Sequence, residues 1–206
     1  MLSDTNGEYK WRYGPQLNEA RYSHCGSLIE VKFITLTYSK KINTYHFKGN
    51  MGQVFIIGGH AGDEIVESVE VLDLETETIS LIKDVTTPHK RWGGKCFTQP
   101  GKDGMETILM TGGMDQFFVP HANMDMFNPN TFEWTVGPTL PTAHSGAEGA
   151  VIRGGPTLFG GFNGLGFTRH VSTFKEGIWE TWTENMESSR ISGLAVSVPQ
   201  DLFLEC

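Results

Sequence analysis

The sequence VFIIGG at Val54–Gly59 ends an apolar run with two consecutive glycines. The same pattern returns as ILMTGG at Ile108–Gly113 and as TLFGG at Thr157–Gly161, at intervals of roughly 50 residues. Short apolar runs bounded by glycine predict buried strands, and a repeat of this period predicts a stack of similar units. The frame of the fold is therefore set by three glycine pairs, Gly58 and Gly59, Gly112 and Gly113, and Gly160 and Gly161.

A large apolar residue follows each glycine pair after about 20 residues. Trp134 and Trp182 hold this place in the second and third units, and Ile79 holds it in the first. The sequence WTVGPTL from Trp134 shares Trp, Gly, Pro and Leu at equal spacing with WRYGPQL from Trp11. Trp11 is therefore predicted to end an earlier unit. A tryptophan supplies a large apolar surface that can pack between neighbouring sheets.

Each unit is predicted to contain four short strands, with the glycine pair after the second and the tryptophan in the fourth. One such sheet cannot bury both of its faces alone, so the units must stack. This combination of double glycine, variable loop and aromatic residue resembles the kelch motif, and the resemblance covers most of the chain outside residues 31–48. It implies an all-β, kelch-type β-propeller.

The units do not add up to a closed ring, and kelch propellers typically have six blades. We therefore expect a partial propeller that occupies residues 1–206 as one domain. Its predicted parts are the end of a preceding blade at 8–24, a blade at 25–82, a blade at 95–137, a blade at 146–184 and the start of a further blade at 192–206. Open strand edges at both ends would favour self-association.

The segment Val31–Lys48 interrupts the first blade and carries four lysines with no acidic residue. Removing it leaves a short hairpin with Gly49 and Asn50 in the turn, a pair that favours tight turns. Two origins remain open: a translated retained intron, or a genuine loop or extra hairpin within the blade. Sequencing of the mature transcript distinguishes them.

Net charge and hydrophobicity exclude some partners. The chain of 206 residues has a formal net charge of −8, which disfavours nucleic acid and anionic membranes as partners. It has neither a long apolar run nor the apolar core of a signal peptide, so a cytoplasmic location is the default expectation. The three cysteines, Cys25, Cys96 and Cys206, are too few and too scattered for a disulfide framework. Cys25 and Cys96 fall within apolar, strand-like stretches and are expected to be buried free thiols.

A basic side chain recurs in the loop after each predicted tryptophan strand. Its members are Arg21, Arg91, His144 and Arg190. Kelch proteins often use an arginine here to hold acidic peptides, and a ring of such residues would suit bidentate capture of carboxylates. The alternative is that these side chains brace the neighbouring blade.

The loops after the glycine pairs supply further candidates for binding. They are His60, Asp63, Phe117, Phe118 and Asn163. The two phenylalanines are a candidate anchor for a partner, and the alternative is that they pack the long loop onto its own blade. The histidines lack the spacing of a metal site, and no catalytic motif or cofactor fingerprint is present, so no metal, cofactor or catalytic residue is expected.

The leading hypothesis for function is a protein–protein interaction module that binds a protein or an acidic peptide. The substrate-recognition part of a larger adaptor is one such role. Two alternatives remain: a propeller-fold enzyme acting on sugars or small molecules, and a truncated fragment without function. Fold alone does not choose between them.

Overall fold

The protein folds into β-strands that are arranged mostly in four-stranded sheets. The computed structural model describes residues 2–5, 8–29, 34–39, 44–49, 52–101, 105–193 and 195, with side chains for 11–29, 52–101, 105–193 and 195. In chain order the strands are β1 (Leu2–Thr5), β2 (Glu8–Trp11), β3 (Cys25–Ile29), β4 (Ile34–Ser39), β5 (Thr44–Gly49), β6 (Gln53–Ile57), β7 (Ser68–Asp73), β8 (Thr78–Thr86), β9 (Trp92–Pro100), β10 (Glu106–Met114), β11 (Met124–Asn128), β12 (Glu133–Val136), β13 (Glu148–Ile152), β14 (Gly155–Phe159), β15 (Val171–Lys175) and β16 (Ile178–Thr181).

Within these described ranges, the strands form three antiparallel four-stranded sheets, which we call the first, second and third blades. Their strand orders are β3-β6-β7-β8, β9-β10-β11-β12 and β13-β14-β15-β16. The first strands of the blades contact one another in sequence, β3 with β9 and β9 with β13. The architecture is thus an all-β partial propeller, as the sequence predicts. The three sheets span residues 25–86, 92–136 and 148–181.

The glycine pairs have the backbone conformation that requires glycine. Gly112 and Gly113 have φ of 60° and 92°, in the left-handed region that side chains disfavour. A Cβ atom on Gly112 would also collide with the carbonyl oxygen of His144 in the loop that enters the next blade. The double glycine therefore lets that loop pass directly over the end of β10.

Two hydrophobic clusters hold the blades together. Between the first and second blades, Phe55 packs edge-on against Phe127 at a ring-centroid distance of 5.7 Å, and Trp134 packs on Phe127 at 4.8 Å. Between the second and third blades, Trp179 packs on Phe174 at 5.3 Å, and its indole N–H points at the sulfur of Met124. Phe127 and Trp179 thus face the blade that precedes their own, whereas Phe55 faces the blade that follows.

One of the predicted tryptophan positions is wrong. Trp182 is 45% exposed and donates its indole N–H to Thr173, whereas Trp179 is 7% exposed and occupies the interblade core. The turn between β15 and β16 contains two residues, while the turn between β11 and β12 contains four. The buried tryptophan of the third blade therefore lies fewer residues after its glycine pair than Trp134 does, and equal spacing selects Trp182 in place of Trp179. Trp11 ends β2 and is 82% exposed, and its assignment to an earlier unit stays a prediction.

This correction can be tested by comparing the two tryptophans. We expect Trp179→Phe to lower the free energy of unfolding by about 2 kcal/mol, because it leaves a void in the core that Trp179 fills. Trp182→Phe serves as the matched control and should cost less than about 0.5 kcal/mol, since the ring is half exposed. Urea unfolding followed by circular dichroism measures both changes. A larger loss for Trp182→Phe would contradict the assignment.

The segment predicted as an insertion forms a separate hairpin. Strands β4 and β5 pair from Ile34 with Gly49 to Ser39 with Thr44, and they join no blade. Strands β3 and β6 pair directly on either side of it, from Cys25 with Ile57 to Ile29 with Gln53. The blade is therefore complete without the segment. Whether the segment is a translated retained intron or a genuine part of the blade is still to be decided by transcript sequencing.

The expectation of free thiols is wrong for two of the cysteines. Cys25 on β3 and Cys96 on β9 form a disulfide with a Cα–Cα distance of 5.4 Å. Their strands belong to adjacent blades, and the two residues face each other across the interface. Cys206, and most of the further blade predicted at 192–206, lie outside the described residues.

Candidate functional site

The loops after the glycine pairs all emerge at one end of the blades, which we call the loop face. Strands β6, β10 and β14 run in the same direction relative to the stack, so their following loops lie together. The preceding loops meet them there through backbone bridges, for example between Tyr22 and His60 and between Ser145 and Phe162. The loop face is therefore built from both loop families that the sequence singles out.

Four rings form a continuous row on this face, which we call the aromatic strip: Tyr22, His60, Trp92 and Phe118. The centroids of Tyr22 and His60 lie 5.3 Å apart, those of His60 and Trp92 5.4 Å, and those of Trp92 and Phe118 5.8 Å. The last two pairs meet edge to face, which is a favoured geometry for aromatic contacts. The strip spans the junction between the first and second blades.

Hydrogen bonds orient His60 within the strip. The backbone N–H of Gly62 donates to Nδ1 of His60 at 3.2 Å, and the hydroxyl of Tyr22 lies 3.1 Å from the same nitrogen. Because a backbone N–H can only donate, Nδ1 acts as an acceptor and the ring proton lies on Nε2. The ring is thus fixed against both neighbouring loops.

The phenylalanine pair is held outward by a local turn. The carboxylate of Asp115 accepts hydrogen bonds from the backbone N–H groups of Phe117 at 2.8 Å and Val119 at 3.0 Å. Phe118 has a φ of 62°, which is unusual for a bulky residue and often marks a functional position. Phe117 and Phe118 are 75% and 67% exposed. Both rings are therefore presented to solvent by a constrained loop.

Two other predicted loop residues have different surroundings. Asn163 uses its side-chain oxygen to accept from the N–H groups of Leu165 and Gly166, so it braces its own loop. Asp63 is exposed at the tip of the first loop.

The arginines of the predicted basic ring lie inside the protein. The side chain of Arg21 is fully buried and forms an ion pair with Glu70 on β7 at 2.6 Å. It also donates to the carbonyl oxygens of Gly58 and Ser68, each at 3.1 Å. The interpretation as a site open to acidic peptides is therefore wrong for Arg21, which braces the first blade instead.

Arg91 repeats this arrangement in the second blade. It is buried, pairs with Asp125 on β11, and donates to the carbonyl oxygens of Gly112 and Asn123 at 3.3 and 3.1 Å. Asp125 is also in contact with His89 at 3.0 Å. The open-site interpretation is thus wrong for Arg91 as well. The equivalence of Glu70 and Asp125 was missed from the sequence, although both follow a glycine pair at nearly the same distance.

The electrostatics of Glu70 show how tightly this pairing is made. Burial raises the pKa of Glu70, but hydrogen bonds from Asn18 and the backbone of Glu19, together with the charge of Arg21, outweigh it and hold the pKa below its usual value. The carboxylate is therefore charged in the folded protein, which is the state needed to neutralise a buried arginine.

The third blade lacks this ion pair. His144 stands at the position of the arginines, and Ser172 stands at the position of the carboxylates. His144 is buried beside Thr168, His170 and Ser172, and burial lowers its pKa to about 4. His144 is therefore neutral at pH 7 and offers no charge to a ligand. Arg190, by contrast, is exposed.

We expect the buried His144 to make the protein sensitive to mild acid. Its pKa of about 4 in the folded state lies below the ~6.5 of an unfolded histidine, so the unfolded state binds more protons as the pH falls below 6.5. Stability should fall by about 2 kcal/mol between pH 7 and pH 5 because of this residue. His144→Gln should remove that part of the pH dependence in urea titrations at the two pH values. An unchanged pH dependence would show that His144 is accessible to protons in the folded state.

The described residues contain no group of three or more His, Cys, Asp and Glu side chains that could hold a metal ion. In the same part of the chain, no helix is long and apolar enough to cross a membrane.

Comparison with known proteins supports the fold. No family model matches the sequence, and no curated protein matches it. Among solved structures, that of YjhT is similar, with a TM-score of 0.59 at 14% sequence identity over 85% of this chain and 69% of that one. At this level of identity the similarity concerns the fold alone.

Proposed function

We propose that the chain is a recognition module that binds a protein ligand through the aromatic strip and the adjoining Phe117. The observation that carries this proposal is a contiguous row of four rings whose ends, Tyr22 and Phe118, are exposed, while His60 and Trp92 between them are partly buried. Tyr22, Phe117, Phe118 and Val119 are all at least half exposed. Contiguous exposed apolar patches commonly mark interaction sites, and aromatic residues dominate the binding energy of interfaces.

The chemistry of the site favours an apolar anchor from the partner. The carboxylate-binding capacity of Arg21 and Arg91 is already used by Glu70 and Asp125. The rings of Trp92 and Phe118 meet nearly perpendicularly, at 87°, so they form two walls against which a leucine, methionine or aromatic side chain can pack. We therefore propose a partner segment that inserts such a side chain, in place of the acidic peptide that the sequence favours.

The kelch resemblance gives this proposal a biological setting. In that family, a propeller with this loop arrangement can serve as the substrate-recognition part of an adaptor. The same role is proposed for this chain, with the aromatic strip as the contact surface. The fixed positions of His60 and Phe118 support it, because a preorganised surface loses little entropy on binding.

A peptide-display selection on the immobilised full chain would identify a ligand and test the site. We expect the selected peptides to share a large apolar residue, and Phe117→Ser to weaken binding of the best peptide at least about tenfold, as for an interface hot spot. Ile178→Ser is the matched control, because Ile178 is 54% exposed and begins β16 at the opposite end of the third blade. Fluorescence anisotropy with a labelled peptide measures both affinities.

Two outcomes would contradict the proposal. Selection of acidic peptides without an apolar residue would indicate a different site. Equal affinities for Phe117→Ser and Ile178→Ser would show that the peptide does not contact the phenylalanine pair. Circular dichroism of each variant confirms that both remain folded.

A further inference from the structure

The loop that carries His60 also carries two exposed carboxylates, Asp63 and Glu64, which we call the acidic turn. The N–H of Ala61 closes this turn by donating to the carbonyl oxygen of Glu64 at 2.9 Å. His60 and Ile65 form a β-bridge at its base, so the acidic turn and the His60 ring belong to one short, closed loop. Neither carboxylate forms an ion pair with another residue of the described part of the chain. Both are therefore available to a ligand of the aromatic strip.

The cations closest to the acidic turn already have carboxylate partners. The ammonium group of Lys90 lies 2.5 Å from Glu67. The guanidinium of Arg21 lies 3.1 Å from Glu19, in addition to its ion pair with Glu70. These cations leave the charge of the acidic turn uncompensated.

Negative charge is in excess throughout the loops and strand ends around the strip. Residues 19–22, 60–70, 87–92 and 114–125 contain seven carboxylates and three lysines or arginines. The carboxylates are those of Glu19, Asp63, Glu64, Glu67, Glu70, Asp115 and Asp125, and the cations are Arg21, Lys90 and Arg91. In the corresponding loops of the third blade, at 162–170 and 182–191, two arginines are matched by two glutamates. The excess is therefore local to the first two blades, where the strip lies.

The two ends of the strip differ in chemistry. At one end the rings of Tyr22, His60 and Trp92 lie close together, with 6.2 Å between the centroids of Tyr22 and Trp92. The faces of tyrosine and tryptophan rings attract cations. At the other end, Phe118 and the neighbouring Phe117 are exposed and purely apolar. The His60 end, beside the acidic turn, is thus suited to a cation, and the Phe118 end is suited to an apolar side chain.

The distance between these ends sets the spacing of the two ligand groups. The ring of His60 is 5.4 Å from that of Trp92, which is 5.8 Å from that of Phe118. At ~3.3 Å per residue, an extended peptide spans this distance of at most about 11 Å in about three residues.

Resting on the function proposed above, we propose that the ligand of the aromatic strip is a cationic segment, with a lysine or arginine about three residues from its apolar anchor. The apolar side chain packs at Phe118, and the cation lies between the acidic turn and the rings of Tyr22 and Trp92. Opposite charges across an interface speed association and exclude wrong partners. An acidic peptide is repelled by the same surface, so the charge preference is the reverse of the one that the kelch resemblance implies.

Parallel peptide-display selections test this preference. Random nonapeptides are selected on the immobilised full chain and on the double variant Asp63→Asn with Glu64→Gln. We expect peptides from the native chain to combine a large apolar residue with a lysine or arginine about three positions away. The double variant should select the apolar residue without the basic one, because the anchor site is intact and the charge is absent.

Binding kinetics of the best native-selected peptide give the magnitude. The double variant should weaken its affinity about fivefold at low salt, mainly through slower association, and the difference should shrink at 0.5 M salt. Glu184→Gln with Glu187→Gln is the matched control, since it removes two exposed carboxylates from the third blade and should change the affinity less than about twofold.

The possible failures are distinguishable. Peptides that need Phe117 but bind the native chain and the acidic-turn variant equally would overturn the charge preference and leave the proposed function standing. Selection of acidic residues beside the apolar anchor would do the same. Basic peptides whose affinity is unchanged by Phe117→Ser would overturn both proposals, because they would bind by charge alone and away from the strip.

Discussion

Asp125→Ala is expected to lower the free energy of unfolding by about 3–5 kcal/mol, because it leaves the buried guanidinium of Arg91 without its counter-charge. Arg91 and Asp125 both have fully buried side chains. His89 would lose its partner as well. Guanidinium unfolding monitored by circular dichroism measures the change. Since small domains are stable by only about 5–15 kcal/mol, the variant should be close to unfolding at 37 °C.

Replacing both charges separates the cost of an unpaired charge from the value of the pair. The double variant Arg91→Met with Asp125→Leu should recover much of the stability lost by Asp125→Ala, because it removes the charge that would remain buried. Glu133→Ala on β12 is the control, since Glu133 is an exposed carboxylate of the same blade. A loss of less than about 1 kcal/mol for Asp125→Ala would show that water reaches Arg91 and that the ion pair is solvated.

The glycine pairs could be predicted from the sequence because their cause is local. A positive φ at Gly112 and Gly113 restricts the residue type, whatever the rest of the chain does. The hairpin pairing of β3 with β6 around the inserted segment was predictable for a similar reason, since apolar runs flank it. The four strands of each of the three described blades follow from these repeating marks.

The roles of the charged residues could not be predicted in the same way. The partner of Arg91 lies 34 residues away on the third strand of its blade, and the sequence shows only that both residues are charged. A comparison of the repeats with one another would have found the acid, because Glu70 and Asp125 hold the same register relative to β6 and β10. Tyr22 and Trp92 directly follow the arginines, but their contact with His60 depends on how adjacent blades stack.

The same limitation explains the misplaced tryptophan and the missed disulfide. Trp179 pairs with Phe174 across β15 and β16. This register is set by the length of the turn between the two strands, and the distance in sequence from the glycine pair does not reveal it. Cys25 and Cys96 are brought together by the packing of two different sheets. Their pairing depends on how the first and second blades pack, and the residues next to each cysteine in the sequence do not indicate it.

Loss of the disulfide is the second large effect that we expect. Cys25 and Cys96 are 71 residues apart in the chain, and closing a loop of that size restricts the unfolded state by about 4 kcal/mol in the chain-entropy description. The variant Cys25→Ala with Cys96→Ala should therefore be less stable than the native protein by about 4 kcal/mol, with a smaller part of the loss from packing. Urea unfolding without reductant gives this difference.

The disulfide connects the inner strands of the first two blades, so its loss should act mainly on their interface. We expect hydrogen exchange to accelerate at β3 and β9 in the double alanine variant before it accelerates at β14 in the third blade. Repeating the unfolding of the native protein with reductant provides the control, because it should then approach the variant. Counting thiols in denatured protein checks the bond itself, since reduction should expose two more thiols than are free beforehand. An equal count with and without reductant would show that Cys25 and Cys96 are unpaired, and the packing of Phe55 on Phe127 would then hold this interface without a covalent bond.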